Sequence, residues 1–202
     1  MASLPHGGVA VVLSAPVGCA APGECAGGGW YRLRYGRQEG YVRGAFLQAA
    51  QLVGVDLARR HERLIVIARL QQHVEVYQDG DLLLVSEATT GRPALATPLG
   101  RTNVSLIDRV HTMRSPWPKG HRFWYRAADV DWAVQFRAGG WYLHDTPIRP
   151  WNGFGIGSDR YHQDPDGVWR IGSHGCVNMP DWAIRRIFGW ARIGDAVFVL
   201  DA

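Results

Sequence analysis

The segment Ser173-His174-Gly175-Cys176-Val177-Asn178 gathers the residue types in this chain best suited to covalent chemistry. A thiol attacks a carbonyl as its thiolate, and free cysteine titrates at about 8.5, so Cys176 needs assistance at neutral pH. Three kinds of help are on offer. A helix starting just behind the segment would favour the thiolate through its positive N-terminus. A histidine in contact would take the proton. Main-chain N–H groups around Gly175 and Cys176 would receive the oxyanion formed in acyl transfer, and Gly175 permits the close backbone approach this requires. Two histidines compete for the role of base. His174 lies two residues from Cys176, and in an extended segment both side chains share a face. His144 closes the run Trp141-Tyr142-Leu143-His144 and is followed by Asp145. Local spacing does not choose between them.

The elements that must position these groups read mostly as short strands. Leu64–Ala68 is an apolar run, and His73–Tyr77 alternates, with Val74 and Val76 on one face. Asp79-Gly80 is the strongest hairpin signal in the chain, and Leu82–Val85 follows it. Further strands are expected at Thr102–Asp108, Phe123–Tyr125, Trp132–Phe136, Trp141–His144 and Ala196–Leu200. One helix is expected after the cysteine, with Pro180 in its first turn, Asp181 at its positive end, and apolar residues from Trp182 to Ala191 near helical spacing. Residues 146–172, rich in Gly, Pro and Asp, read as a long loop, and a loop of that length inside a compact domain is usually functional. The fold class is therefore mainly β, an antiparallel sandwich carrying one helix late in the chain.

Residues 1–50 differ in composition, being Gly- and Ala-rich and poor in acids. Trp30–Arg34 and Gly40–Val42, joined at Gly36-Arg37-Gln38, read as a hairpin. With Val9–Pro16 as a first strand, this segment resembles part of a bacterial SH3-like domain, which implies either wall binding or a packing role. Residues 51–60 read as a linker, and residues 61–202 as the domain that carries the chemistry. Cys19 and Cys25 stand close together and would pair in an oxidising compartment, leaving Cys176 as an odd thiol.

Ser-His-Gly-Cys followed by an apolar residue and Asn is the signature of the L,D-transpeptidases, the YkuD-type domain, which residues 62–201 resemble. The family carries a strand-borne histidine upstream, matched here by His144. Tyr77 before an Asp-Gly turn, Thr90-Gly91, and Thr97-Pro98-Leu99-Gly100 also fit the family. The resemblance implies an L,D-transpeptidase-type β-sandwich in which Cys176 is acylated by a peptidoglycan stem peptide at an L-to-D bond. An amine of a second stem then resolves the thioester. It implies that His144 moves the proton, with a main-chain oxygen orienting its ring at Asp145. Ser173, His174 and Gly175 would shape the pocket and the oxyanion site, and Asn178 would steady the loop or the substrate. Two departures stand out. His144 lies farther from Ser173 than the family's usual interval, so an insertion around Trp151–Trp169 is expected to form a lid or an extra substrate wall. Asp145 replaces the Gly or Ser usual after the histidine.

The chain has 202 residues and a net charge of +4, yet its basic residues are scattered and Lys119 is its only lysine. No run reads as a nucleic-acid patch, and no stretch reaches the length of a membrane span. The apolar stretch Val9–Leu13 lacks the basic residues of an export signal. Stem peptides are the expected partner, the cell wall or periplasm the expected location, and a monomer the expected state. No cofactor or metal is expected. Two rival chemistries share these residues. One is an L,D-carboxypeptidase, in which water is the acceptor. The other is a zinc hydrolase using His144, His174 and Cys176. His111, His121 and His162 lack ligand spacing, and Trp117, Trp124, Trp132 and Trp151 read as packing residues.

Overall fold

The computed structural model describes residues 11–12, 29–35, 38–47, 51–150 and 152–202, so Cys19, Cys25 and Trp151 lie outside it. The chain divides into two compact units, Met1–Leu52 and Val53–Ala202. In the first, β1 (Val11–Val12), β2 (Trp30–Tyr35) and β3 (Gln38–Arg43) form an antiparallel three-stranded sheet. Most of the expected Val9–Pro16 strand falls outside the described residues.

The second unit opens with the single-turn helix α1 (Val55–Ala58) inside the segment expected as a linker. Ala58 is buried against Leu64, Val66 and Tyr77. The main-chain N–H groups of Val53 and Gly54 donate to the Glu75 carboxylate at 2.8 and 2.9 Å. Strands β4 (Arg63–Ala68), β5 (His73–Gln78), β6 (Asp81–Glu87) and β7 (Gly100–Asn103) begin the larger sheet. Strands β8 (Leu106–Met113), β9 (Ala128–Arg137) and β10 (Trp141–Asp145) build the facing one. The short hairpin β11 (His162–Gln163) and β12 (Trp169–Arg170) precedes β13 (Val177–Met179), helix α2 (Asp181–Trp190) and β14 (Ala196–Leu200).

The larger sheet runs β6-β5-β4-β14-β7 and the smaller β13-β10-β9-β8. Among the described strands, β14 with β4 and β10 with β13 are the parallel pairs. Between the sheets lies the main core, to which Ile65, Ile67, Val134, Phe136, Leu143, Val177 and Val197 contribute, together with Ile184 and Ile187 of α2. Leu64 and Val66 point the other way, into the smaller cluster under α1. Strand β4 is thus buried on both faces, which is why it reads as an unbroken apolar run. Asp79 and Gly80 take φ of 51° and 84°, the left-handed pair that a tight hairpin turn demands.

Two expected strands are corrected. Thr102–Asp108 is split between the two sheets, because Val104 leaves the ladder to exchange hydrogen bonds with the turn at Gly194 and Asp195. Phe123–Tyr125 is not a strand. Phe123 packs against Trp117 and His121 within a loop, with ring centroids 5.6 Å apart in each pair.

Candidate active site

Strand β10 positions the upstream histidine. Its side chains alternate, with Leu143 in the sandwich core and Tyr142 on the opposite face, in a small cluster against which Cys176 packs. His144 shares the face of Tyr142. Strand β13 runs parallel beside it in the register Leu143↔Val177 and His144↔Asn178, so Cys176 stands next to Tyr142. His144 and Cys176 are therefore diagonal neighbours on one face of adjacent strands, about 8 Å apart at Cα for ordinary strand spacing and rise. The ring is held from its far side, because Nδ1 of His144 lies 2.6 Å from the main-chain oxygen of Asp145. A carbonyl only accepts, so Nδ1 carries the proton and Nε2 keeps a free lone pair. The Asp145 carboxylate is itself buried and accepts the Trp132 N–H at 2.8 Å.

The thiol is partly buried, with its sulfur 3.4 Å from the Gly140 carbonyl. Burial pushes it up to about 11, against a small opposing pull from the Tyr142 main-chain N–H. Burial also holds His144 below the usual imidazole range, outweighing the Asp145 contact that favours its protonation. At neutral pH the resting pair is thus thiol and neutral imidazole, not an ion pair. The expected help from a helix N-terminus does not reach the sulfur. All of β13 separates Cys176 from Asp181, roughly 10 Å of extended chain, and a helix end acts within about its first turn.

The turn before Cys176 is pinned by its own side chains and by the Thr89–Thr97 segment. Ser173 Oγ donates to the Cys176 carbonyl at 2.5 Å and accepts the Gly175 N–H at 3.0 Å. Thr97 Oγ1 donates to the Gly175 carbonyl at 2.8 Å and accepts the Gly91 N–H at 3.0 Å. Thr89 and Asn178 exchange main-chain bonds of 2.8 and 2.9 Å, and the Ser173 N–H reaches the Thr90 carbonyl at 3.0 Å. Gly175 has φ +117°, and a Cβ there would sit 2.9 Å from Nε1 of Trp141, so no other residue fits without strain. The segment is consequently not extended, and His174 departs from the direction expected of it. Its Nδ1 faces Nη2 of Arg92 at 3.4 Å, and its ring lies against Tyr125 at 4.8 Å. Burial and the Arg92 charge push His174 down to about 4, leaving it neutral. Among the described residues no three His, Cys, Asp or Glu side chains gather as metal ligands.

The insertion folds around a buried acid. Asp164 accepts from Arg149 at 3.1 Å and Arg170 at 2.8 Å, with His162 Nε2 at 2.6 Å. The loop is tied to the body by Gly155 N–H to the Ala88 carbonyl at 3.0 Å and by Ser158 Oγ beside Thr89 Oγ1 at 2.9 Å. Arg149, Arg170 and Ile148 line a cavity of about 220 Å³ together with Arg92, His174 and Asn178. The insertion is thus a wall of a cavity beside the cysteine turn. Arg92, Tyr142, Tyr125 and Gly140 went unmarked in the sequence. Arg92 directly follows the Thr90-Gly91 motif, in the turn read at Thr89-Thr90-Gly91-Arg92-Pro93, which was a signal for it. The main-chain groups of Tyr142 and Gly140 carry none.

The family profile of the L,D-transpeptidase catalytic domain (YkuD) matches residues 62–199. This chain belongs to the L,D-transpeptidase family. No curated protein is matched. A mutant Enterococcus faecium L,D-transpeptidase is 24% identical with a TM-score of 0.56, over 69% of this chain and 50% of that one. An L,D-transpeptidase from Mycobacterium smegmatis gives 21% identity and a TM-score of 0.57, over 86% and 68%. An L,D-transpeptidase in complex with imipenem gives 19% and 0.58, over 85% and 67%. The chain spans about half the length of the Enterococcus faecium protein. The mainly β sandwich with its late helix is accordingly an L,D-transpeptidase-type fold.

Proposed function

We propose that this protein is a peptidoglycan L,D-transpeptidase in which Cys176 is the nucleophile and His144 its base. The observation that carries the reading is the His144 ring. Its Nδ1 is fixed on the Asp145 carbonyl at 2.6 Å, and it stands on the strand beside Cys176 with Nε2 free to accept a proton. Because thiol and imidazole both rest neutral, proton transfer accompanies attack instead of preceding it. As the sulfur adds to the scissile carbonyl of a donor stem peptide, Nε2 takes the thiol proton. The tetrahedral oxyanion is received at the cysteine turn. Since the Gly175 N–H is engaged by Ser173 Oγ, the Cys176 N–H is the donor we assign to it. Collapse expels the terminal D-residue as an amine that takes the proton back from His144, leaving a thioester. An amine of a second stem attacks the thioester, gives up a proton to His144, and releases the thiol as the new amide forms.

In this reading His174 packs the cavity wall and is not the base, Ser173 holds the turn, and Asn178 faces the donor. Residues 61–202 form the catalytic domain and residues 1–50 an SH3-like appendage. The enzyme acts as a monomer outside the cytoplasmic membrane, where its polymer lies. The test is incubation with a synthetic tetrapeptide donor, with and without an amine acceptor. A thioester on Cys176 followed by an amide product is expected. Hydrolysis alone, at an equal rate with and without amine, favours the carboxypeptidase.

A further inference from the structure

We infer that the cavity lined by Arg92, His174, Asn178, Arg149, Arg170 and Ile148 is the subsite for a carboxylate of the donor peptide, with Arg92 as the group that binds it. This rests on the transpeptidase reading and names the chemistry its donor must carry.

The inference follows from counting charges around the cavity, which has a volume of about 220 Å³. At about 30 Å³ for each water, that holds on the order of seven waters, enough for one amino-acid-sized group. Two of its three arginines are already neutralised. Arg149 and Arg170 share Asp164, and Arg170 also holds Asp166 at 2.7 Å, so two cations face two anions. Arg92 has no acidic partner among the described residues. Its Nε donates to the main-chain oxygens of Gly172 and Ser173, both at 3.0 Å, and its Nη2 lies 3.4 Å from Nδ1 of His174. His174 is neutral at working pH and offers no counter-charge. A half-buried guanidinium without an anion is costly unless a ligand supplies one. Its planar fork suits a single carboxylate, and one unpaired positive charge calls for one negative charge.

Position ties the subsite to the reaction. Asn178 lies two residues beyond Cys176 along β13, about 7 Å of chain, and His174 lies two residues before it in the tight turn, so the cavity wall flanks the sulfur-bearing residue on both sides. A peptide whose scissile carbonyl sits at the sulfur would therefore set a group one or two residues away beside Arg92. Two carboxylates of a stem peptide fall in that range. One is the terminal carboxylate of the leaving D-residue, and the other is an acid on the half retained in the thioester. The apolar stem of Ile148 and the Asn178 amide suit either.

The experiment measures acylation of the full chain and its Arg92→Gln and Arg92→Lys variants by three tetrapeptide donors. These carry a free acid throughout, a C-terminal amide, or amidated internal carboxylates. Acyl-enzyme is followed by intact mass, and kcat/KM is split into its terms. In the wild type, amidating the recognised carboxylate lowers kcat/KM on the order of 10- to 100-fold, chiefly through KM. The donor that loses tells which carboxylate is bound. Arg92→Gln shows that loss with the free acid and no further loss on amidation, and Arg92→Lys recovers part of it. If Arg92→Gln fails to fold, the wild-type comparison decides alone, since equal rates with all three donors overturn the subsite. Losses from substitution and amidation that simply multiply also overturn it. A protein that no donor acylates overturns the transpeptidase reading, and the subsite with it.

Discussion

If burial dominates the Cys176 thiol, its reactivity must keep climbing with pH well past neutrality. The thiol is pushed from 9.0 up to about 11, so at pH 7 its thiolate fraction is about 100-fold below that of an unperturbed cysteine, at tenfold per unit. The sign follows from the charge, since taking a thiol out of water disfavours the anion and raises its pKa. Lowering of the His144 imidazole by the same burial removes the cation that would stabilise a thiolate. The assay is iodoacetamide alkylation, stopped at intervals and read by peptide mass at Cys176 only. Between pH 6 and 9 the rate should rise about tenfold per unit with no plateau. It should also stay well below that of the same cysteine in the urea-unfolded chain. His144→Ala should barely change the profile, because an uncharged ring is not what sets the thiol's pKa. A plateau between pH 6 and 8, abolished by His144→Ala, would reveal a resting thiolate–imidazolium pair and refute the burial argument.

Replacing His144 by Ala should lower single-turnover acylation by about 10² to 10⁴-fold, the usual worth of a general base, whereas His174→Ala should cost far less, as quenched-flow mass measurements would show. Gly175→Ala should reduce both activity and melting temperature. A side chain at φ +117° that meets Trp141 stores about 1–3 kcal/mol of strain, and differential scanning calorimetry would register it. Asp164→Asn should destabilise the insertion by about 3–5 kcal/mol, because it strands Arg149 in a buried position, and chemical denaturation would measure the loss. Burial pushes the Glu75 carboxyl up, but hydrogen bonds from His73, Tyr77, Val53 and Gly54 outweigh it and hold the group below 4.5. Its contribution is therefore present above pH 4.5 and lost as pH falls through the lower folded value. Glu75→Gln should flatten that part of an acid-denaturation curve followed by circular dichroism.

What could be read from the chain was whatever local chemistry dictates. Leu64–Ala68 announced itself because a strand covered on both faces must be apolar throughout, and Asp79-Gly80 because only a few residues tolerate its turn. Within residues 146–172, expected as a loop, β11 and β12 close around Asp166-Gly167, where Gly167 alone takes a positive φ. Strand β13 was not legible. It spans only Val177–Met179 and exists because β10 lies beside it, a partner more than thirty positions away. Missing it brought helix α2 too near the sulfur. Phe123–Tyr125 misled because aromatic residues favour strands, yet Phe123 packs at a tilt against Trp117 and His121 within a loop. At the site, Cys176 and His144 stood out through motif and order. Their protonation states did not, since burial is a property of the packed sheet face. Arg92 was just as opaque, because an unpaired charge is known only once every neighbour is in place.

Intact-mass analysis after exposure to a carbapenem tests the core of the account most directly. One adduct should form on the wild-type chain and map to Cys176. It should be absent from Cys176→Ala and form far more slowly on His144→Ala. An adduct elsewhere, or full-speed acylation of the His144 variant, would contradict the assignment of sulfur and ring on which the mechanism is built.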